Sequence, residues 1–388
     1  MNLVNKKARL LHDFRNMCRL AVLFLLGLSL PCSALAREST ESFTVGIILG
    51  QKNNLTSTSN NEKMCILKYV TDNYSQMGKK VNFIFVENFR TVVGTAKAAL
   101  SLIESNVDLV LIPLISREAI IASRIFTEAK IPFVTTATSV SIIAKNSYGL
   151  STMPSNQHQA NLLADLYQKE YPDSKIHVVT NSSNESSKSI SKIFSARILT
   201  DNPNAEIIQH SFTRQNIKGI ASQIEDGEVV SAFLYNPDIA ILYIALSQRD
   251  KKIHILGPDS IGARKEFFSI IGTTSDKVTL QYLKNWDHTV KGPNKKRFIP
   301  IFKTYCGEKQ STFLTAYSFD LINFVLSEMD NLKKADSPMS IIKILKNSDY
   351  VTVMDGQKFN FDKNGYNKKN MYIYHVKDSQ AKLDDLLK

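Results

Sequence analysis

The sequence of 388 residues lacks the short motifs that mark most hydrolytic, redox and zinc sites. It contains no Gly-x-Ser-x-Gly elbow, no His-Glu-x-x-His motif and no Cys-x-x-Cys pair. It has seven histidines, and the six that follow the N-terminal segment never lie within a few residues of one another. A zinc site formed by helix or hairpin spacing is therefore not expected. We expect no catalytic residues, no metal and no cofactor.

Cysteine is scarce, and long apolar runs are confined to the N-terminus. A basic segment precedes the apolar run Leu20 to Leu30, and small residues follow it up to Ala36, a pattern that predicts a secretory signal peptide over residues 1–36. The run is short for a bilayer span, and a proline directly before Cys32 argues against lipoprotein processing. We expect a periplasmic or secreted protein after cleavage near Ala36.

Two cysteines follow this leader, Cys65 and Cys306. In an exported protein they can form one disulfide. They lie far apart in the sequence, however, and a small apolar thiol on a helix is an equally good interpretation of Cys65. The sequence leaves both alternatives open.

Acidic residues are the minority, with 36 Asp and Glu against 48 Lys and Arg and a net charge of +12. The densest basic clusters, Lys295 to Arg297 and Lys368 to Lys369, carry none of the interleaved aromatic residues of a nucleic-acid surface. We interpret the excess charge as the solvated faces of a basic exported protein and expect no nucleic-acid partner.

The most informative stretch runs from Val107 to Val140. Leu109 to Leu114 is apolar throughout, as in a strand buried on both faces, and Ser116 is predicted to cap the helix that follows. A second strand, Phe133 to Thr135, ends in small and hydroxyl residues. Two parallel strands joined by a crossover helix bring their carboxyl ends to one edge, where open α/β sheets bind ligands.

Strand and helix patterns alternate on both sides of this stretch and restart after Pro154, which predicts two α/β units. In the first unit, Thr91 is expected to cap a helix whose buried face carries Ala96, Ala99, Leu100 and Ile103. The predicted fold class is α/β, with two doubly wound parallel-sheet lobes joined by a multi-crossing hinge. The expected boundaries are 43–154 with 283–358 for lobe 1, and 155–282 with 359–388 for lobe 2. The predicted strands are Phe43–Leu49, Val81–Val86, Ile176–Thr180, Glu206–His210, Val230–Leu234, Ile253–Leu256, Val278–Tyr282, Gln357–Phe361 and Met371–Val376.

Asp259 follows a predicted buried strand and lies in the segment Gly257 to Gly262. The glycine spacing there is that of a phosphate loop, but Ala263 and Arg264 replace the lysine and the Ser or Thr that such a loop requires, so a turn is predicted. Asp259 has two possible roles, a ligand contact at the sheet edge or the cap of the next helix. Ser116 has a similar pair of roles, which are compatible, because a helix start also holds anions.

Together these features resemble the periplasmic substrate-binding proteins of the branched-chain amino-acid type, which serve ABC importers. The resemblance is carried by the strand to Ser116 and by the segments IPFVTTATS, IHILGPDS, AYSFDLI and FDKNGYNKKNMYIYHVKD in this order. It implies that Ser116 and the loop Ala137 to Ser139 hold a ligand carboxylate. It also implies that Asp259 takes the ligand ammonium, which matches what a zwitterion demands.

This chain departs from that family at several positions. Glu185 stands where the family usually has an aromatic residue, and the turn at Tyr235 replaces a Gly-Gly-aromatic pattern. Such a pocket suits a more polar or cationic ligand than leucine or valine. The candidate ligand-binding residues are Leu114, Ser116, Ala137, Thr138, Ser139, Glu185, Tyr235 and Asp259.

The resemblance implies a monomer that captures a small polar ligand, an amino acid or a related amide or peptide, in the inter-lobe cleft for a membrane ABC permease. Two alternatives remain open. One is a ligand-sensing or degenerate partner protein of the same fold without a transport role. The other is a two-lobed enzyme of glycosyltransferase-like type, which needs a nucleotide or metal motif that the sequence lacks.

Overall fold

A computed structural model describes residues 42–50, 65–67, 69–70, 72–74, 81–143, 148–261, 265–286, 293–306, 313–377 and 380–387. The predicted signal peptide lies outside these residues. The sequence also predicts a helix that begins after Ser59 and ends at Gly78, and both of these positions lie outside the described residues. From Ser42 onward the chain forms one compact unit. Within the described residues, no helix is long and apolar enough to cross a membrane.

The first sheet has five strands in the order β2-β1-β3-β4-β5, and every pair is parallel. Strands β1, β3, β4 and β5 are short runs buried on both faces, whereas the edge strand β2 is only partly buried and leaves Phe85 41% exposed. Two helices connect successive strands across the sheet. The elements are β1 (Phe43–Leu49), β2 (Val81–Glu87), α1 (Val92–Glu104), β3 (Leu109–Ile112), α2 (Ser116–Glu128), β4 (Phe133–Thr135) and β5 (Gly149–Ser151).

The second sheet has seven strands in the order β12-β11-β10-β9-β8-β6-β7. Its pairs are parallel except at the C-terminal end, where β10–β11 and β11–β12 are antiparallel. The elements are α3 (Asn156–Glu170), β6 (Ile176–Thr180), α4 (Glu185–Asp201), β7 (Ile207–Ser211), α5 (Ile217–Ser222), β8 (Val229–Phe233), α6 (Asp238–Ser247), β9 (Ile253–Gly257), α7 (Lys265–Ile271), β10 (Val278–Lys284), β11 (Met371–Lys377) and β12 (Gln380–Leu387).

Four helices between β10 and β11 return to the first sheet. They are α8 (Pro293–Cys306), α9 (Phe313–Ser327), α10 (Met329–Leu332) and α11 (Pro338–Lys346). Because side chains alternate along a strand, Val45 and Ile47 of β1 pack with these helices, whereas Ile48 packs with α1 and α2. A disulfide between Cys65 and Cys306, with Cα atoms 5.5 Å apart, joins α8 to the helical residues near position 65, and so decides the alternative that the sequence left open.

The buried face predicted for α1 is wrong by about one residue. Leu100 is 51% exposed, and the buried residues are Thr95, Ala98, Ala99 and Leu102. Gly46 of β1 explains why Leu102 lies on the buried face of α1. Because Gly46 has no side chain, both methyl groups of Leu102 fit in the space that a Cβ atom would otherwise restrict. The Thr91 cap is confirmed, since its hydroxyl accepts a hydrogen bond from the N–H of Gly94 at 2.9 Å.

The strand predicted over Gln357 to Phe361 is also wrong. The segment makes only isolated bridges, at Lys358 and Phe361, because Phe359 turns into the core and packs edge-on against Phe324 of α9 at 4.7 Å. Helix α11, with its capping box between Ser337 and Ser340, was not predicted at all.

Residues 350–354, which follow α11 and lead back toward the second sheet, are hydrogen-bonded to Asp320 of α9. Asp320 is 1% exposed. Its Oδ1 accepts hydrogen bonds from the Tyr350 hydroxyl and the N–H of Val353, both at 2.8 Å, and its Oδ2 accepts one from the N–H of Met354 at 3.2 Å. Burial raises the pKa of Asp320 to about 7, although these hydrogen bonds lower it in part. One carboxyl group therefore sets the path of residues 350–354.

Replacing Asp320 tests this anchor. Asp320→Ala leaves three buried donors without an acceptor, and we expect the free energy of unfolding to fall by about 3 kcal/mol. Asp320→Asn keeps one acceptor oxygen and removes the buried charge, so its loss is expected to be smaller. Urea unfolding of both variants at neutral pH measures the difference, and equal losses would show that the hydrogen bonds do not hold this segment.

Candidate functional site

A small cavity lies where the loop after β4 meets elements of the second sheet. Its volume is about 20 Å³, enough for one water molecule, which needs about 10–15 Å³. Its polar lining includes Thr138, Asn156, Gln159, Ser186, Tyr235 and Asp259, and its apolar lining is Ile190, Phe233 and Pro258. Thr138 follows a strand of the first sheet, and Asp259 follows a strand of the second, so carboxyl ends of both sheets contribute to one cavity.

Asp259 reaches this cavity through a tight turn after β9. Gly257 ends the strand, and Cδ1 of Ile261 occupies the space in which a Cβ atom at this position would lie. The N–H of Asp259 donates to Oε1 of Gln159 at 3.3 Å, and Nδ2 of Asn285 donates to Oδ2 of Asp259 at 3.2 Å. Among the described residues, this carboxylate accepts its hydrogen bond from Asn285, not from a helix N–H.

The environment of Asp259 disfavours its charge. Burial raises the pKa of its carboxyl group to about 6, and the side-chain amide of Gln159 lowers it only in part. No lysine or arginine forms an ion pair with it among the described residues. A cation placed in the cavity would therefore find a poorly solvated carboxylate.

Most backbone groups of the loop Ala137 to Ser139 form hydrogen bonds with neighbouring protein groups. The N–H of Ala137 donates to Oγ1 of Thr135 at 3.1 Å, and the N–H of Ser139 donates to Oγ of Ser116 at 3.3 Å. The carbonyl of Thr138 accepts from the N–H of Asn156 at 2.7 Å. Among the described residues the N–H of Thr138 has no acceptor, which leaves it as the loop donor available to an anion.

Ser116 was predicted to cap α2, and the structure places it one residue later. The N-cap position is Ile115, which makes no side-chain cap, and Ser116 is the first helical residue. The Ser116 hydroxyl faces the loop after β4, where it contacts Ser139, instead of a backbone N–H of its own helix. Ser116 and Ser139 thus contact each other, but neither lines the cavity. Ala137 and Leu114 do not line it either and are buried in the core of the first sheet.

The two remaining predicted residues differ in position. Tyr235 lines the cavity, although the residue as a whole is 43% exposed. Burial of its hydroxyl and the charge of Asp259 raise the pKa of Tyr235, whereas the nearby Ser186 side chain lowers it. Glu185 does not line the cavity. Its side chain is 57% exposed and pairs with Lys188 at 2.8 Å, because Glu185 begins α4 and points outward, while the next residue, Ser186, faces inward.

Sequence reasoning missed Asn156, Gln159 and Asn285. Asn156 and Gln159 lie three residues apart on the buried face of α3, next to apolar Ala160 and Leu163. The sequence signal that could have identified them as site residues is the presence of two amide side chains on an otherwise apolar helix face. Asn285 gave no signal, because its contact with Asp259 depends on where β10 ends in space.

A second and larger cleft, of about 660 Å³, is lined by the first turn of α3 and residues 355–370. None of the eight predicted residues lines it. In the part of the chain that the structure describes, no three His, Cys, Asp or Glu side chains come together as a metal site. The cavity at Asp259 is therefore the candidate site.

Comparison with known proteins identifies the family. A family model for periplasmic binding proteins matches residues 64–381. The chain belongs to the periplasmic binding protein family. A search of curated proteins gives no match.

Solved structures confirm the predicted fold class of a two-lobed α/β protein. The leucine-binding protein LivK of Thermotoga maritima is similar with a TM-score of 0.75 and 16% identity, covering 89% of this chain and 98% of that one. LivJ of Streptococcus pneumoniae, solved with isoleucine, gives a TM-score of 0.72, 15% identity and coverage of 89% and 99%. A solute-binding protein of Rhodopseudomonas palustris, solved with 3,4-dihydroxybenzoic acid, gives a TM-score of 0.68 and 17% identity, covering 88% of this chain and 95% of that one.

The raised pKa of Asp259 predicts a stability effect in the absence of ligand. Because the folded pKa lies above the ordinary value of 3.8, the folded protein binds more protons than the unfolded chain between about pH 4 and 6. Ionisation of Asp259 therefore lowers stability as the pH rises through this window. We expect the free energy of unfolding of Asp259→Asn to exceed that of the wild type by about 3 kcal/mol at pH 7.5 and to come close to it at pH 4. Urea unfolding at both pH values decides this, and a pH-independent difference would contradict it.

Proposed function

We propose that this protein captures a small ligand with an ammonium group, an amino acid or a related amide or peptide, and presents it to an ABC permease. One observation carries the proposal. Asp259, a partly desolvated carboxylate without a cationic partner among the described residues, shares a cavity with Thr138 from the other sheet. Membership of the periplasmic binding protein family, and the isoleucine bound to LivJ of Streptococcus pneumoniae, support a zwitterionic ligand.

The two sides of the cavity suit the two ends of a zwitterion. Asp259 accepts the ammonium group, and the N–H of Thr138 donates to the carboxylate. The long hydrogen bond between Ser139 and Ser116, at 3.3 Å, breaks easily, so both groups can turn to the same carboxylate. Charge-assisted hydrogen bonds of this kind are about twice as strong as neutral ones.

Ligand entry requires the lobes to separate. A cavity of about 20 Å³ cannot hold an amino acid, and its walls come from both sheets. In our proposal lobe 1 comprises 43–154 and 283–358, and lobe 2 comprises 155–282 and 359–388, with the three crossings as the hinge. A ligand that contacts both lobes favours the closed arrangement through these differential contacts.

The same proposal includes an exported monomer. Residues 1–36 act as a signal peptide removed near Ala36, and the processed chain works outside the cytoplasm without nucleic acid or cofactor. A second candidate function is a partner protein that keeps the fold but binds no ligand. The observation that supports it is the small cavity volume. Binding measurements separate the two candidates.

Variants at Asp259 provide that test. Loss of one partner of a buried charge pair typically costs about 2 to 5 kcal/mol of affinity, so Asp259→Asn and Asp259→Ala are expected to bind an amino-acid ligand about thirtyfold to several-thousandfold more weakly. The ligand is first found by a thermal-shift screen of amino acids, amides and short peptides, and affinity is measured by titration calorimetry. Glu185→Gln, outside the cavity, is the control and should bind like the wild type. Wild-type affinity in Asp259→Asn, or no binder in the screen, would overturn the proposal.

We also expect the ligand to leave the protein chemically unchanged. The cavity contains hydroxyl, amide and carboxyl groups, but no histidine or cysteine lines it. Mass spectrometry of ligand recovered after prolonged incubation tests this expectation, with the same solution lacking protein as the control. Protein-dependent conversion over several turnovers would assign an enzymatic role instead.

A further inference from the structure

Gln159 carries an unused pair of donors at the cavity. It is 1% exposed, and its Nε2 atom forms no hydrogen bond of normal geometry, although the amide lies close enough to the Asp259 carboxylate to lower the pKa of that group. Of the described side-chain atoms that are buried and unpartnered, Nε2 of Gln159 is the one that belongs to a residue lining this cavity. A buried amide donor without an acceptor is costly in a folded protein, so the site favours any group that supplies the acceptor.

The orientation of this amide follows from its neighbour. The backbone N–H of Asp259 donates to Oε1 of Gln159 at 3.3 Å. A flipped amide would set Nε2 against that N–H, donor against donor, and would be unfavourable. The oxygen of Gln159 is therefore occupied by Asp259, and the NH₂ group is the end that remains for a ligand.

The neighbouring polar side chains have partners within the protein. Nδ2 of Asn156 donates to Oγ of Ser186 at 2.9 Å, and the Ser187 hydroxyl donates to the carbonyl of Phe233. Asp259 accepts from Asn285 at 3.2 Å. Gln159 thus differs from them in having a donor group that the folded protein leaves unsatisfied.

We infer that Gln159 is a specificity residue whose NH₂ group donates to an acceptor oxygen on the ligand side chain, so that the site prefers short polar amino acids to aliphatic ones of the same shape. The inference rests on the proposed function, since it assumes an amino acid with its ammonium at Asp259. Gln159 contacts the backbone of Asp259, so the acceptor oxygen must lie close to the ammonium group. A hydroxyl or amide oxygen one or two bonds beyond the β-carbon meets this condition.

Isosteric ligand pairs test the inference on the unmodified protein. Threonine and valine have nearly the same shape, as do asparagine and leucine, and in each pair only the first has a side-chain acceptor. We expect titration calorimetry to show that threonine binds more tightly than valine, or asparagine more tightly than leucine, by about ten- to a hundredfold in affinity. The reason is that the aliphatic ligand leaves the buried donor unpaired. Equal affinities within both pairs, or tighter binding of valine or leucine, would overturn the inference and leave the proposed function intact.

Gln159→Met removes the two N–H donors and keeps a side chain of similar length. We expect it to reduce the affinity ratio within each ligand pair to about one. Gln157→Met, on the exposed side of the same helix turn, is the matched control and should keep the wild-type ratio. A preference that persists in a folded Gln159→Met, checked by its circular dichroism spectrum, would overturn the inference. If all four ligands fail while another amino acid binds, the inference is wrong and the proposed function stands. If no ammonium ligand binds at all, the proposed function itself fails.

Discussion

A carboxylate kept partly away from water at the end of a parallel strand is the constraint on which the rest of this site depends. Asp259 receives one hydrogen bond from Asn285, contacts Gln159 through its backbone and has a pKa raised to about 6. Water would solvate this charge better than these groups do. Under the proposed function, the ammonium group of the ligand supplies the positive charge that no described side chain provides to Asp259.

The segments that cross between the sheets hold both halves of the site. Asn285, just after β10, contacts Asp259 on one side. Tyr366, on the last crossing, donates its hydroxyl proton to the carbonyl of Ser139 on the other. Asp320 fixes the path of the same crossing further upstream. Under the proposed function, a change in hinge geometry moves both Asp259 and Ser139, which couples ligand binding to lobe closure.

The cavity has a mixed lining, in which several polar side chains lie beside the apolar Ile190, Phe233 and Pro258. Asn156, Gln159 and Ser186 line it from the starts of α3 and α4, with Tyr235 beside them. Under the inference for Gln159, its unpaired donor disfavours aliphatic ligands, which is a stronger discrimination than the loss of a methylene contact. The fold is shared with LivK and LivJ at 15–16% identity, a level at which the architecture persists while the side chains of a site diverge.

The sequence by itself determined the alternation of strands and helices, the parallel sheets and the position of Asp259 after a buried strand. These features depend on apolar runs and turn residues within about ten positions of one another, and local patterns record them. Tertiary structure decided the rest. The buried face of α1 follows Gly46 on another strand, Glu185 points outward because α4 begins at that residue, and the Cys65–Cys306 bond joins positions 241 residues apart. Gln159 and Asn285 acquire their roles only because three distant segments meet at Asp259, and such meetings are set by the packing of whole elements, which no local pattern encodes.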